Sequence, residues 1–131
     1  MKRLAIDVRP GEYAVARLRR DAPVPDGLLA PDGSFVSVTR TSTELSVICP
    51  AGLVPVAEKV EAGWRLLTVR GPLEFTLTGI IAALTSELAA AGVPLFTLST
   101  FDTDHVLVKE SDLDRAAGAL RSAGHEVFLP D

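Results

Sequence analysis

The sequence is poor in the residues that build disulfide frameworks, metal clusters and aromatic surfaces. Its 131 residues include one cysteine, two histidines, one tryptophan and one tyrosine. Because Cys49 is alone, it cannot form an intrachain disulfide, which fits a reducing compartment. No stretch approaches the roughly 20 consecutive apolar residues of a membrane-spanning helix, and the apolar run near the N-terminus is too short for a signal peptide. We therefore expect a cytoplasmic protein with no membrane partner.

An excess of positive charge is missing as well. The chain carries 13 Lys and Arg against 17 Asp and Glu, a net charge of −4, and no basic stripe is visible. This balance argues against a nucleic-acid partner. Hydrophobic residues make up 47% and charged residues 23%, so the chain can form a packed core. Its length suits one ordinary domain or two very small ones.

The middle of the chain contains a degenerate internal repeat. Residues 37–50 align with residues 97–110 at an offset of 60, which places Thr43 on Thr103 and Glu44 on Asp104. Identity is low, but the strand pattern and the turn residues agree, which favours a duplicated supersecondary unit. The alternative is that any two β-hairpins followed by helices resemble each other.

The second copy predicts the order β-α-β-β-α-β. Apolar residues at helical spacing end at Gly92, which suits a C-cap, and Ser111 before an acidic turn suits an N-cap. The predicted elements are strand 64–71, helix 75–92, strand 95–101, turn 102–104, strand 105–110, helix 111–124 and strand 125–130. This is the ferredoxin-like arrangement, an α+β fold with helices covering one face of an antiparallel sheet.

The first copy is predicted to be an eroded version of the second. Residues 13–19 read as a strand, residues 35–50 as a hairpin and residues 53–60 as a short helix. Where the first helix belongs, residues 21–33 hold three prolines and two glycines, which predict a loop or a single helical turn. We expect a degenerate half over residues 1–60 and a complete unit over residues 61–131, packed as one compact body.

The segments SVTRTSTELSVICP, GWRLLTVRGP and LFTLSTFDTDHVLVKE resemble the tandem ACT-domain proteins related to the CASTOR arginine sensors. ACT domains are ferredoxin-like modules that bind small molecules, commonly amino acids, usually at interfaces between ACT units. The resemblance implies a regulatory amino-acid sensor that acts as a homodimer, has no catalytic activity and needs no cofactor or metal.

The resemblance also implies a set of ligand-binding positions at three places in the chain. The first four begin the long helix, Pro94 and Leu95 form a helix-to-strand corner that closes the pocket of a neighbouring unit, and the last three match an S-T-F-x-x-D segment. These residues are Phe75, Thr76, Leu77, Gly79, Pro94, Leu95, Thr100, Phe101 and Asp104. The mammalian arginine sensors carry an acid where this chain has Leu77, which leaves a smaller or more apolar amino acid open as the ligand.

Elementary chemistry is compatible with such a site. The first N–H groups of a helix have no intrahelical partner and attract a carboxylate, aided by a helix-dipole term of about 0.3–1 kcal/mol. Asp104 can bind an ammonium or guanidinium through charge-assisted hydrogen bonds. Two structural alternatives remain open: Gly79 can serve helix–sheet packing, and Asp104 can stabilise a tight turn.

The segment FDTDH also raises a metal hypothesis. Magnesium accepts two carboxylates and water, so Asp102, Asp104 and His105 form a candidate centre for a small metal-assisted enzyme. Adjacent residues on an extended strand point to opposite faces, which argues against it. No nucleophile motif or phosphate-cradling loop appears. A ligand-free interaction module is the third alternative.

Overall fold

The computed structural model describes residues 3–71 and 79–130 of the chain, which fall into two compact units. Residues 3–10, 65–71 and 79–130 form the C-terminal unit, and residues 11–64 form the N-terminal unit. The strands are β1 (Ala5–Val8), β2 (Tyr13–Leu18), β3 (Ser37–Arg40), β4 (Leu45–Pro50), β5 (Lys59–Val69), β6 (Leu95–Ser99), β7 (Asp104–Lys109) and β8 (Glu126–Phe128), and the α-helices are α1 (Ile80–Ala90) and α2 (Leu113–Ser122).

The C-terminal unit has the predicted ferredoxin-like order of strands and helices. The last residues of β5 pair antiparallel with β1, while β7 lies between β5 and β6. Strand β8 pairs in parallel with β1, so β1 is inserted between the first and last strands of the βαββαβ unit. The α+β fold class is confirmed, and β1 is an addition that the sequence did not predict.

Helical periodicity sets the core of this unit. Helix α1 buries Ile80, Leu84 and Leu88 against the sheet, as the spacing predicts. The buried face of α2 consists of Ala116, Ala117 and Leu120. The remaining buried residues of this core are Leu4, Ile6, Val8, Leu67, Val69, Val93, Val106, Val108 and Val127.

The C-terminus of α1 has the predicted glycine cap. Gly92 has a φ of 73°, its N–H donates to Ala89 O at 3.0 Å, and the Val93 N–H donates to Leu88 O at 2.9 Å. This pair of bonds satisfies two carbonyls that the helix end would leave without partners. The predicted N-cap of the second helix is wrong, because Ser111 lies within a 3-10 turn and α2 begins only at Leu113.

The N-terminal unit is a small sheet covered by loops instead of helices. Strand β4 lies between β3 and β2, and the first half of β5 pairs with the outer side of β2. Residues 21–33 form turns, bends and irregular backbone with no helix, as their prolines and glycines predict. The buried core residues of this unit are Ala16, Leu18, Leu28, Leu45, Val47 and Cys49.

The short helix predicted over residues 53–60 is wrong. A 3-10 turn at Ala51–Leu53 ends at Val54, which is extended with φ −61° and ψ 127°. Pro55 explains the difference, because its ring disfavours helical backbone in the preceding residue and it lacks an N–H to continue the helix. The chain is already in a β-strand at Lys59.

Candidate functional site

The topology of the C-terminal unit brings two of the predicted site segments to one edge of its sheet. Thr68 contacts His105 and Arg65 contacts Glu110, so β5 and β7 run antiparallel. Strand β6 is antiparallel to β7 and therefore parallel to β5. Helix α1 lies between these two parallel strands in the chain and ends next to the start of β6, so we infer that its N-terminus lies at the end of the sheet where β5 stops and the β6–β7 turn lies. We call this end of the strands the turn edge. The described residues that we assign to it are Val69, Gly79 and residues 99–104.

Hydrogen bonds hold the β6–β7 turn against the end of β5. The Thr100 N–H donates to Thr103 O at 2.9 Å, and the Thr100 hydroxyl donates to the same carbonyl at 3.2 Å. The Thr103 hydroxyl donates to Val69 O at 2.7 Å. Thr103 was not among the predicted site residues, although hydroxyl residues flanking a short turn are a recognisable signal for such bonds.

Asp104 lies at the start of β7 and faces the helices. It was predicted to be in the turn, but it is the first residue of the strand. Alternate residues of β7, Val106 and Val108, belong to the helix-covered core, so the Asp104 side chain lies on that face. The Ser99 hydroxyl donates to Asp104 Oδ1 at 2.5 Å and orients the carboxylate. Ser99 was not among the predicted site residues.

Val106 and Leu95 lie on the helix-covered side of the sheet. Val106 is 2% exposed within the core of the C-terminal unit, and Leu95 packs against that core. Phe101, in contrast, is 79% exposed at the turn.

His105 lies on the opposite face from Asp104. Its side chain is buried, with Nδ1 3.0 Å from the Thr68 hydroxyl and Nε2 3.4 Å from the Thr100 hydroxyl. Burial lowers the pKa of His105, Arg9 lowers it further, and Asp104 opposes both effects. The imidazole is therefore neutral at pH 7 and helps to position Thr100.

The metal hypothesis needs Asp102, Asp104 and His105 to converge, and two of these side chains lie on opposite faces of β7. Asp102 is exposed in the turn. Across residues 3–71 and 79–130, no three side chains of His, Cys, Asp or Glu lie close enough to hold a metal ion.

Gly79 occupies the N-cap position of α1 in a left-handed conformation, with φ 79° and ψ 6°. No described atom lies within 4 Å of the position that a Cβ would take, so backbone conformation explains this glycine better than close packing. The Ala83 N–H donates to Gly79 O at 2.8 Å and begins the helix. The predicted site residues Phe75, Thr76 and Leu77 lie outside the described residues.

Pro94 and Leu95 lie at the far edge of the sheet from the turn. Helix α1 ends there and β6 begins there, so the length of β6 separates Leu95 from Ser99. At about 3.4 Å per residue this separation is roughly 14 Å. The unit does not bring these two residues to the turn edge.

The N-terminal unit has an equivalent hairpin that lacks the carboxylate. The Thr41 N–H donates to Glu44 O at 2.9 Å, matching the bond between Thr100 and Thr103. Aligning these two hydrogen bonds places Thr41 on Thr100, so the two hairpins are offset by 59 residues and not by 60. The first strand residue after the turn is Leu45 in the N-terminal unit and Asp104 in the C-terminal unit. The predicted match of Glu44 with Asp104 is wrong, and Leu45 is a core residue at 1% exposure.

None of the helices in the described part of the chain is both long enough and apolar enough to cross a membrane.

Comparison with known proteins identifies related sequences. A family model described as an ACT domain matches residues 59–122, and a second model for an N-terminal domain matches residues 11–57. The cytosolic arginine sensors for mTORC1, subunit 1, of Bos taurus and Homo sapiens are each 41% identical to this chain over 51 residues. That match covers 38% of this chain and only 16% of either sensor.

Solved structures extend the likeness to the whole chain. A protein of Agrobacterium tumefaciens is 37% identical, with a TM-score of 0.90 over 100% of this chain and 96% of its own. The regulatory subunit of aspartate kinase from Thermus thermophilus, in its ligand-free form, has a TM-score of 0.63 over 91% of this chain and 96% of its own. At 12% identity, this second likeness shows the fold alone.

Proposed function

Because the chain belongs to the ACT-domain family, we propose that it is a regulatory protein that binds an amino acid at the turn edge of its C-terminal unit. One observation carries the proposal. Asp104 and the start of α1 lie on the same face of the sheet, since Ile80 and Val106 share one core, and a helix that crosses over from β5 to β6 is expected to start at the end of the strands that carries Asp104. The names of the arginine sensors support an amino acid as the ligand class.

The two ends of an α-amino acid have distinct partners in this arrangement. The ligand carboxylate accepts hydrogen bonds from the first N–H groups of α1, after Gly79, where the helix dipole adds a favourable term of about 0.3–1 kcal/mol. The ligand ammonium binds Asp104, whose carboxylate is oriented by Ser99. Phe101 is exposed beside this space and supplies an apolar contact for the ligand side chain.

Titration calorimetry with each of the twenty amino acids tests the proposal, supported by thermal melting. At a hundredfold excess of ligand over its dissociation constant, binding stabilises the folded protein by about 2.7 kcal/mol, so the melting temperature rises by several degrees. Asp104→Asn should weaken binding at least tenfold because it removes the charge that holds the ammonium. Asp102→Asn is the matched control, because it changes the net charge of the protein by the same amount at an exposed turn residue. This variant should bind the amino acid as tightly as the wild type does.

The outcomes separate the candidate functions. If no amino acid changes the melting temperature or produces heat, the amino-acid proposal fails and a ligand-free interaction module is favoured. If Asp102→Asn weakens binding as much as Asp104→Asn, the ligand does not bind where we propose.

We further propose that the protein acts as a cytoplasmic homodimer without catalytic activity or a cofactor. The location rests on the word cytosolic in the names of the arginine sensors. Strand β6 supports the dimer, because within the described chain it pairs only with β7 and its five residues carry no charge. Such an edge lacks the usual protection against pairing with another strand. In the dimer, Pro94 and Leu95 would close the pocket of the second copy.

Light scattering after gel filtration tests the dimer. Thr97→Lys places a charge at the centre of β6, where Thr97 is exposed, and should convert the dimer to a monomer. Thr39→Lys on β3 is the matched control, since it adds the same charge to a strand of the other unit. A wild-type protein that is monomeric with and without ligand would disprove the homodimer.

A further inference from the structure

The N-terminal unit contains a recess that has no counterpart among the predicted site residues. It has a volume of about 310 Å³, within the lower range of small-molecule sites. Its lining residues are Leu18, Arg19, Ala22, Val56, Ala57 and Glu58. The recess lies between the chain that follows β2 and the chain that precedes β5.

The recess follows from the sequence of this unit. A helix over the sheet would cover the end of β2, but the prolines of residues 21–33 prevent one from forming. Pro55 likewise keeps the segment before β5 extended. Two irregular segments therefore flank the sheet, and the buried side chain of Leu18 forms the apolar floor between them.

Hydrogen bonds to backbone carbonyls hold both walls in place. The Arg40 guanidinium donates to Ala22 O at 2.7 Å and also to Arg20 O, which fixes the first wall. The Glu58 N–H donates to Arg17 O at 2.9 Å and fixes the second wall.

The rim carries one cation and one anion above an apolar interior. Arg19 lies on one wall and Glu58 on the other, while Ala22, Ala57 and Val56 supply apolar surface. Arg19 contacts Asp21 at 3.0 Å and Glu58 contacts Arg17 at 3.9 Å. Both pairs are exposed, so they contribute little and a ligand can replace them at small cost.

Val56 is fully exposed at the edge of the recess. The apolar side chain of Val56 contributes no burial energy to folding, and contact with a ligand would remove its surface from water. A neutral apolar molecule would leave the two rim charges unused, and a simple ion would leave the apolar walls unused. A zwitterion with a branched apolar side chain uses both features.

We infer that this recess is a binding site for a free apolar α-amino acid, of which L-leucine is the probe. The Arg19 guanidinium binds the ligand carboxylate, the Glu58 carboxylate binds its ammonium, and the side chain packs between Val56 and Ala57 above Leu18. This site is separate from the turn edge, and the inference does not rest on the proposed function.

The test is a titration of the ¹⁵N-labelled full chain with L-leucine, followed by ¹H–¹⁵N correlation spectra. Saturable shifts are expected for the amides of residues 18–22 and 56–58. Two analogues each lack one charge: 4-methylpentanoate lacks the ammonium and 3-methylbutylamine lacks the carboxylate. Each should bind about threefold or more weakly than L-leucine, because each analogue loses one of the two exposed charge contacts, and such contacts are individually weak.

Variants identify the residues that bind. Arg19→Gln and Glu58→Gln should each weaken L-leucine binding about threefold, whereas Arg20→Gln, on the same exposed segment but outside the lining, should not. Ala57→Leu fills the recess and should abolish the shifts. If Ala57→Leu does not fold, Val56→Ser removes an apolar wall at an exposed position and should weaken binding.

The same spectra separate this inference from the proposed function. Shifts at Gly79 and residues 99–104 report the turn edge, and Asp104→Asn should remove those shifts while those of the recess persist. Absence of saturable shifts at residues 18–22 and 56–58 overturns the inference, whatever happens at the turn edge. Equal binding by L-leucine and both single-charge analogues also overturns it.

Discussion

Thr103→Val should loosen the turn that carries the proposed amino-acid site. The substitution keeps the size and β-branched shape of the side chain but removes the hydroxyl that donates to Val69 O at 2.7 Å. A hydrogen bond of this kind contributes about 0.5–1.5 kcal/mol, and a partly buried carbonyl left without its donor adds to the loss. We expect the free energy of unfolding to fall by about 1–2 kcal/mol, which lowers the melting temperature by roughly 4–8 °C.

Circular dichroism at helical wavelengths is the assay for this prediction. Both α-helices of the described chain lie in the C-terminal unit, so the helical signal reports on the unit that contains Thr103. Thr39→Val is the matched control, because Thr39 is exposed on β3, outside the proposed dimer strand, and removal of its hydroxyl should change stability by less than about 0.5 kcal/mol. Amide exchange at Thr100 supplies a local readout, since its N–H bonds within the same turn.

An unchanged melting temperature in Thr103→Val would refute this reasoning. So would a destabilisation equal to that of Thr39→Val, because the effect would then come from losing any threonine hydroxyl on a strand. Faster exchange of the Thr100 amide with little change in global stability would show that the bond acts locally, at lower energy than we assign to it.

Three further predictions concern acid stability and thiol chemistry. Hydrogen bonds from Arg70 lower the pKa of Asp7, so the stabilisation from this pair is present above about pH 4 and is lost as the pH falls through the folded pKa. In urea unfolding at pH 7, Asp7→Asn should be less stable than wild type by up to about 1 kcal/mol. A difference that does not shrink as the pH is lowered below about 4 would contradict this. Burial lowers the pKa of His105 below 6.5, so the unfolded chain binds more protons near that pH and the free energy of unfolding falls on acidification. His105→Gln should therefore reduce the change in the free energy of unfolding between about pH 7.5 and 5.5. If the pH dependence is the same in the variant and the wild type, His105 is not its source. Burial raises the pKa of the Cys49 thiol. A disulfide reagent should therefore label Cys49 at least a hundredfold more slowly in the folded protein in buffer than in the protein unfolded by urea. Stoichiometric labelling of the folded protein on mixing would contradict this, because it would show that the thiol is accessible.

The local elements were the most predictable part of this fold. Helix α1 and its Gly92 cap follow from residues that are neighbours in the chain, as do the two hairpins. The errors came where local signals compete. Residues 53–60 combine an apolar pattern typical of a helix with Pro55, and the proline determines the backbone.

Strand β1 shows what sequence periodicity could not supply. Its four residues pair with β5 and β8, which lie about 60 and 120 positions further along the chain. A segment this short has too few residues to reveal alternation, and only its distant partners make it a strand. The registration of the repeat failed for a related reason, since the alignment favoured Thr43 with Thr103 whereas the turn hydrogen bonds align Thr41 with Thr100.

The candidate sites divide in the same way. Asp104 and Gly79 could be named from the sequence and its resemblance to a family, and their chemistry follows from residue type. Their shared edge could not, because it depends on β5 and β6 being parallel within one sheet. Ser99 and Thr103, which hold the carboxylate and the turn, gained their roles only through partners brought close by folding.

The composition of the core, the order of helices and hairpins in the C-terminal unit, and the absence of a helix where prolines cluster all follow from local sequence. These properties depend on periodicity and on backbone restrictions within a few residues. Three features follow instead from contacts between distant segments: β1 joins the C-terminal unit, Leu45 takes the place of a carboxylate, and two loops flank a recess over Leu18. Those outcomes depend on pairing between distant segments, whose hydrogen bonds and packing no local pattern specifies.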